Sequence, residues 1–278
     1  MRRRLLHLLI VSVVVLTAAG SASASAGIQA VSIEAGLSPR AAVQTAAAVL
    51  ERQLGASFVT VVAATYQPRE RILTYACAGH PPPIVLGSRS IAPITVSSSP
   101  PIGAGFRTGT RQTVVSVPGR SQICFHTDGI TEARVAGELF GAERLARTLA
   151  ELGQGATASA LLDQVTEETD AHPDDMAACL LNIEGGATAP TILVEELELD
   201  REEATGDRTE RFLLACGVER REVAELVRSA HVIAERTGTV ILELRLGDGP
   251  PEVALGRDNV ALLHTSHVRR QADLRVSQ

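Results

Sequence analysis

The sequence contains no lysine and no tryptophan, and aromatic residues make up only 3% of its 278 residues. Its basic residues are therefore arginines and a few histidines. The formal net charge is −6 and no basic run exceeds a few residues, so nucleic acid is not expected as a partner. The remaining composition is that of a soluble globular protein, long enough for one large domain or for one domain with an appendage.

Cysteine pairs with the spacing of a zinc site or a redox motif are also absent. Cys77, Cys124 and Cys179 lie in segments that are predicted to be strands, and Cys216 lies farther along the chain. We expect buried, reduced thiols, which favour a cytoplasmic protein.

Residues 1–26 have two interpretations. Consecutive arginines precede an apolar run at residues 5–19, and SASASA follows it, as in a secretory signal peptide cleaved after Ala24 or Ala26. The apolar run is too short for a transmembrane helix, so a membrane protein is not expected. Because LLIVSVVVL is rich in β-branched residues, residues 8–16 also suit a buried central strand that is followed by a tight loop. The first interpretation implies an exported protein and the second a cytoplasmic one.

Hydrophobic periodicity predicts an α+β protein. Ser38 suits a helix N-cap, Pro39 suits the first helical position, and the apolar face continues to Leu54. A strand that contains Ile123 and Phe125 leads directly into Asp128-Gly129. The pattern predicts further helices at 142–152 and 158–169, and further strands at 58–66, 71–77, 84–86, 114–117 and 176–183.

Residues 185–190 contain glycine and proline and are a candidate linker to the C-terminal part of the chain. Residues 191–278 are predicted to form a small α/β appendage that carries no catalytic constellation. The amphipathic helix and the hairpin of this appendage suit either a homodimer interface or simple packing onto the main domain. The predicted elements of the tail are helices at 209–215 and 219–235 and strands at 239–246 and 252–255.

The main candidates for metal-binding or catalytic residues are aspartates in two loops. Asp128 follows a predicted strand, whereas Asp174 and Asp175 precede another. Because these strands are predicted neighbours in a largely antiparallel sheet, their carboxylates would meet at one sheet edge. Carboxylate oxygens suit Mg²⁺ or Mn²⁺, and two such ions can orient a metal-bound hydroxide for in-line attack on a phosphate. The alternative for Asp128-Gly129 is an ordinary turn.

His80 is a further candidate, in the segment AGHPPP, whose prolines end a strand. A histidine here suits a metal ligand or a general acid. A single histidine at a strand end is nevertheless typical of a hydrogen-bonded structural residue, so we leave His80 out of the predicted catalytic set.

Five motifs occur together over residues 56–184: AGHPP with Gly79 and His80, PIGAG, T-D-G-x-T-E-A-R, E-L-F-G-x-E-R-L and a D-D pair before a strand. In this combination the sequence resembles bacterial PPM-type (protein phosphatase type 2C-like) serine/threonine phosphatases. The resemblance is to the stage II sporulation protein E-like branch, which acts on phosphorylated anti-anti-sigma factors. It implies an αββα sandwich of two mostly antiparallel sheets flanked by helices over residues 27–186.

The same resemblance implies a two-metal centre of Mg²⁺ or Mn²⁺ between the sheets. Asp128 and Asp174 would be metal ligands, Gly129 the backbone companion of Asp128, and Asp175 the second member of the D-D pair. The implied reaction is hydrolysis of phosphoserine or phosphothreonine on a regulatory protein by metal-activated water. Such a phosphatase acts in signal transduction and sigma factor regulation.

Two family motifs that carry metal ligands are missing or changed. No G-D-x-x-D precedes residue 56, and the D-V-x-G-x-G motif is best matched by VLTAAGSASASA. There Thr17 stands for the aspartate, and Gly20 and Ala22 stand for the two glycines. A threonine hydroxyl carries no charge to offset two divalent ions, so it does not replace a bridging carboxylate. The sequence therefore predicts an N-terminally shortened or degenerate phosphatase with weak or absent turnover; the alternative is a pseudophosphatase that binds a regulatory partner without catalysis.

Overall fold

The structure, a computed structural model, describes residues 11–19, 37–55, 57–87, 98–170, 175–185, 193–256 and 263–265. The chain divides into two compact units, Met1–Leu193 and Val194–Gln278. This division lies just beyond the predicted linker.

The first unit contains two antiparallel sheets and a small hairpin. Its described strands are Val11–Ala19 (β1), Phe58–Gln67 (β2), Ile72–Ala78 (β3), Ile84–Leu86 (β4), Arg111–Ser116 (β5), Ser121–His126 (β6), Arg134–Val135 (β7), Glu138–Leu139 (β8) and Ala178–Ile183 (β9). Its described helices are Pro39–Leu54 (α1), Asp128–Thr131 (α2), Gly141–Leu152 (α3) and Ala158–Glu168 (α4). One sheet has the order β1–β2–β3–β5, the other has the order β4–β6–β9, and β7 pairs with β8.

Side chains alternate across β2, so this strand contributes to two separate cores. Val61 and Ala63 pack with α1, whereas Val62 and Ala64 pack with side chains of the β4–β6–β9 sheet. On the far side of that second sheet, Cys124 of β6 packs with α3 and α4. The layers are therefore α1, the first sheet, the second sheet, and α3 with α4, which confirms the αββα sandwich.

Helix α1 begins where its sequence predicts. The Ser38 hydroxyl accepts a hydrogen bond from the backbone N–H of Ala41 at 3.2 Å, and Pro39 occupies the first helical position. The helix ends at Gly55, which adopts a φ of 59°. These local signals position α1 so that Val43 and its neighbours cover the outer face of β2 and β3.

Part of the N-terminal segment forms a strand. Val11–Ala19 pairs antiparallel with β2 along all nine of its residues. This arrangement agrees with the strand interpretation of the segment. Residues 1–10 and 20–36 lie outside the described residues, and Gly20 and both candidate cleavage positions are among them. Within the described chain, no helix is both long and apolar enough to span a bilayer.

The second unit has the α/β construction that the sequence predicts. The buried side chains come from both of its helices and from its sheet, and they include Phe212, Ala230 and Leu242. Its sheet has the order β10–β11–β12–β13, in which β11 and β12 form the predicted hairpin. The elements are Leu193–Asp200 (β10), Asp207–Ala215 (α5), Arg220–Thr237 (α6), Thr239–Leu246 (β11), Glu252–Gly256 (β12) and Leu263–Thr265 (β13).

Candidate functional site

Asp128 is the first residue of α2, directly after the end of β6. Thr127 separates β6 from α2, and the Asp128 side chain is exposed. Its Oδ1 atom accepts a hydrogen bond from the backbone N–H of Gly129 at 3.0 Å. The pair starts a short helix that continues to Thr131.

Thr127 joins this helix start to the segment before β9. Its hydroxyl donates to the backbone carbonyl of Asp175 at 3.0 Å and accepts from the backbone N–H of Ala177 at 2.9 Å. Because β6 and β9 are antiparallel, with His126 opposite Ala178, the end of β6 and the beginning of β9 meet at one sheet edge. The structure thus brings together the two loops that carry the predicted aspartates.

The side chains of the predicted D-D pair have different positions. Asp175 is exposed and is not part of the cavity beside Asp128. Asp174 lies outside the described residues. The role of both residues as metal ligands remains a prediction.

A cavity of about 370 Å³ lies beside Asp128. This volume is within the range of small-ligand pockets, which is roughly 300–1,000 Å³. The wall combines groups from β3, the segment after it, β5 and α2: Tyr75, Cys77, Gly79, His80, Ser99, Arg111, Thr113, Asp128, Thr131 and Glu132 are among its residues. Gly79 and His80 of the AGHPP motif therefore share one cavity with Asp128.

Gly79 is required for the close approach of two loops in this wall. Its φ is +66°, and an added Cβ would lie 2.5 Å from Cγ and 2.9 Å from Cα of Pro101. Its N–H also donates to the carbonyl of Ser99 at 2.8 Å. The close packing against Pro101 and the hydrogen bond to Ser99 fix the backbone that leads into His80.

His80 is buried, with 5% of its surface exposed. Its Nδ1 lies 2.9 Å from the carbonyl oxygen of Pro81, as expected for a hydrogen-bonded structural histidine. Its Nε2 is buried and has no hydrogen-bond partner among the residues that the structure describes. Burial lowers the pKa of His80 below its usual value, against the opposing effects of the Pro81 carbonyl and the Asp128 carboxylate.

His126 lies at the end of β6 and is also buried. Burial lowers its pKa, the carbonyl of Thr127 opposes this shift, and the neighbouring His80 lowers the pKa further. Both imidazoles are therefore neutral near pH 7, and the charge of Asp128 has no cationic histidine beside it.

Several cavity residues were not predicted as site residues from the sequence. Thr131 and Glu132 lie within T-D-G-x-T-E-A-R, so the motif itself was the signal for them. Arg111 is not part of any sequence motif. It lies beside the segment that contains His80 because β3 pairs with β5. Arg111 is 7% exposed, which is unusual for an arginine, and its side chain has other interactions in the structure.

The described residues do not assemble the two-metal centre that the resemblance implies. Among them, no three histidine, cysteine, aspartate or glutamate side chains are placed to hold one metal ion. Asp128 and Glu132 are the carboxylates among the residues of the cavity wall, and Thr17, which the resemblance aligns with the bridging aspartate, lies in β1.

Comparison with known proteins gives a family match and several structural likenesses, of which two are described. The family model of stage II sporulation protein E (SpoIIE) matches residues 15–184, so the match begins inside β1. A crystal structure of the RsbU and RsbW domains of a Mycobacterium tuberculosis protein has a TM-score of 0.51 and 18% identity, and the alignment covers 88% of this chain and 76% of that one. This likeness shows a shared fold.

The PP2C domain of SiaA from Pseudomonas aeruginosa has a TM-score of 0.44 and 20% identity, with 55% of this chain and 64% of that one covered. No curated protein matches the sequence significantly. The family match covers more than half of the chain and agrees with the αββα sandwich. The chain therefore belongs to the SpoIIE family of PPM-type, protein phosphatase 2C-like proteins.

Proposed function

We propose that this protein is a protein serine/threonine phosphatase that acts on phosphoserine or phosphothreonine of a regulatory protein of the anti-anti-sigma type. The observation that carries this proposal is the position of Asp128 at the end of β6, in a cavity at the edge of the two-sheet sandwich of a SpoIIE-family chain. The likeness to a structure with RsbU and RsbW domains supports a regulatory protein as the partner.

The cavity has the size and the groups to hold a phosphorylated side chain. Its volume of about 370 Å³ accommodates one such side chain. Arg111 places a positive charge in the wall, and Ser99 and Thr113 place hydroxyl groups there. Guanidinium and hydroxyl groups are suitable donors for phosphoryl oxygens.

The proposed cofactor is Mg²⁺ or Mn²⁺, with Asp128, Gly129, Asp174 and Asp175 as the proposed ligand segment. Because Thr17 replaces a bridging aspartate, we propose a low turnover. We also propose a cytoplasmic location, with export as the alternative if residues 1–26 are removed as a signal peptide. A homodimer through residues 191–278 is proposed on the basis of the amphipathic helix α6.

A second candidate function is a pseudophosphatase that binds a phosphorylated regulatory protein without hydrolysis. Two points favour it: Thr17, which the resemblance aligns with the bridging aspartate, lies in β1, and no cluster of three metal-binding side chains is present in the described ranges. Such a protein would use the same cavity and the same partner.

The experiment that separates the two functions is phosphate release from a phosphothreonine peptide with added Mn²⁺. A phosphatase gives slow release that Asp128→Asn abolishes, whereas a pseudophosphatase gives none. The matched control is Asp163→Asn, which changes an exposed aspartate on α4 and leaves release unchanged. Release that survives Asp128→Asn would contradict the proposed site.

A further inference from the structure

Thr127 is the residue directly before α2, but its side chain does not cap that helix. A threonine in this position usually accepts a hydrogen bond from an N–H of the first helical turn. In α2 the Thr127 hydroxyl makes no such bond. The Asp128 carboxylate instead accepts from the N–H of Gly129 at 3.0 Å. The hydroxyl of Thr127 is therefore available for contacts outside its own helix.

These contacts extend the pairing of β6 with β9 by one residue. The pair that follows His126 and Ala178 in this register is Thr127 and Ala177. The backbone N–H of Thr127 donates to the carbonyl of Ala177 at 3.0 Å, as in an antiparallel ladder. The return bond goes to the side chain, because the N–H of Ala177 donates to Oγ1 of Thr127 at 2.9 Å. A hydroxyl thus takes the place of a backbone carbonyl.

This exchange of acceptors lets the chain turn into α2 and still contact the loop before β9. The carbonyl of Thr127 belongs to the helix start, where it accepts from the N–H of Ile130 at 3.2 Å. The hydroxyl also donates to the carbonyl of Asp175 at 3.0 Å. Only 2% of Thr127 is exposed, so water does not readily replace these bonds. One side chain joins the residue before Asp128 to both of these backbone groups.

We propose that Thr127 is a positioning residue of the proposed phosphatase site. It is not among the residues of the cavity wall, and it acts by holding the Asp128 carboxylate at a fixed place relative to the loop of the D-D pair. The proposal rests on the proposed function, because a positioning role needs a reaction to serve. A misplacement of about 1 Å in a reacting geometry can lower a rate about a hundredfold.

The test compares two substitutions that separate the hydroxyl from the shape of the side chain. Thr127→Val keeps the shape and removes the donor and the acceptor, whereas Thr127→Ser keeps both. The assay is phosphate release from a phosphothreonine peptide with Mn²⁺. We expect Thr127→Val to lower kcat by about tenfold or more and to leave KM within about twofold of wild type. KM is spared because Arg111 and Thr113, the proposed phosphoryl donors, lie on β5. Thr127→Ser should restore most of kcat.

Two controls separate positioning from stability. Thr148→Val makes the same change at a buried threonine whose hydroxyl donates only within α3, to the carbonyl of Arg144 at 3.0 Å. Val43→Ala removes buried methyl groups from the core between α1 and the first sheet. Both should keep the kcat of wild type at a temperature at which all variants are folded. A kcat loss in Thr127→Val that Val43→Ala shares, or that serine does not restore, would overturn the proposal.

Hydrogen exchange tests the same contact without turnover. Ala177 is exposed, but its N–H is bonded to Thr127. In wild type this amide should exchange more slowly than in an unstructured chain by about tenfold or more, and Thr127→Ser should keep that protection. Exchange of the Ala177 amide at the unstructured rate in wild type would overturn the proposal, even if Thr127→Val does not fold. Wild type that protects Ala177 but releases no phosphate supports the contact and contradicts the proposed phosphatase activity.

Discussion

The hydroxyl of Thr127 donates a hydrogen bond to the backbone carbonyl of Asp175 at 3.0 Å, across a gap of 48 residues in the chain. The same oxygen accepts from the N–H of Ala177 at 2.9 Å. One buried side chain thus fixes the distance between the Asp128 helix and the loop that precedes β9.

Replacement of Thr127 by valine keeps the shape of the side chain and removes both hydrogen bonds. We expect the free energy of unfolding to fall by about 2 kcal/mol, because two backbone groups lose their partners at a buried position. Urea denaturation measures this change. Thr166→Val is the control, since Thr166 is exposed on α4 and bonds only within its helix; its effect should be within about 0.5 kcal/mol. Equal effects of the two variants would show that Thr127 does not fix the loops.

Gly79→Ala should destabilise the protein through a steric contact that an unhindered glycine with a similar φ does not have. Gly153 has a φ of +73° and open space around an added Cβ, so Gly153→Ala reports backbone strain alone, about 1–3 kcal/mol. At Gly79 the contact with Pro101 adds a steric penalty of about 1–3 kcal/mol. Thermal denaturation of both variants checks the difference. Equal losses would contradict the close approach of the two loops.

Cys124 should make the protein less stable at alkaline pH. Burial, with a smaller effect of Cys179, raises the pKa of the Cys124 thiol from 9.0 to about 12. Above about pH 9 the unfolded chain therefore loses a proton that the folded chain keeps, so stability falls as the pH rises. The loss from this group is about 1.4 kcal/mol at about pH 10.

Cys124→Ala should flatten this part of the stability profile, even if it lowers stability at every pH by leaving a cavity. Urea denaturation between about pH 8 and about pH 9.5 measures the slope, below most of the range in which Tyr66, whose pKa burial also raises, contributes. Cys179, whose pKa burial raises as well, contributes to wild type and variant alike. Slopes that are identical in wild type and variant would contradict a strongly raised pKa of Cys124.

The elements with strong local signals were predictable from the sequence. α1 was predicted because Ser38 and Pro39 define its start, and β6 because Ile123 and Phe125 alternate with their neighbours. β10 was missed because its segment LVEELELD contains four acidic residues, which depress the strand signal although the segment alternates.

The hairpin of β7 and β8 was missed for a different reason. Its strands have two residues each, and its turn is formed by Ala136 and Gly137, with φ values of 51° and 86°. Two consecutive positive φ values are typical of a hairpin turn whose usual sequence is Asn-Gly. Because alanine takes the place of asparagine here, the sequence does not predict the turn. The N–H of Ala136 donates to the carboxylate of Asp170, a contact from a distant helix end that compensates for the unfavourable conformation.

The candidate site was predictable only in part. The proximity of Asp128 to the loop of the D-D pair was predictable from the sequence. Two neighbouring antiparallel strands place the end of one beside the beginning of the other, at the same edge of the sheet. The burial of His80 did not follow, because it depends on the packing of the segment after β3. Arg111 did not follow either, because its burial depends on packing between distant segments.

The proposed phosphatase has a turnover that is limited by the absence of a carboxylate at Thr17. The most direct measurement compares Mn²⁺-dependent phosphate release from a phosphothreonine peptide by wild type, Thr17→Asp, and Thr17→Asp combined with Asp128→Asn, after circular dichroism has shown that each is folded. The account predicts faster release by Thr17→Asp and none by the double variant. Release by Thr17→Asp that is no faster than wild type, or release that survives in the double variant, would contradict it.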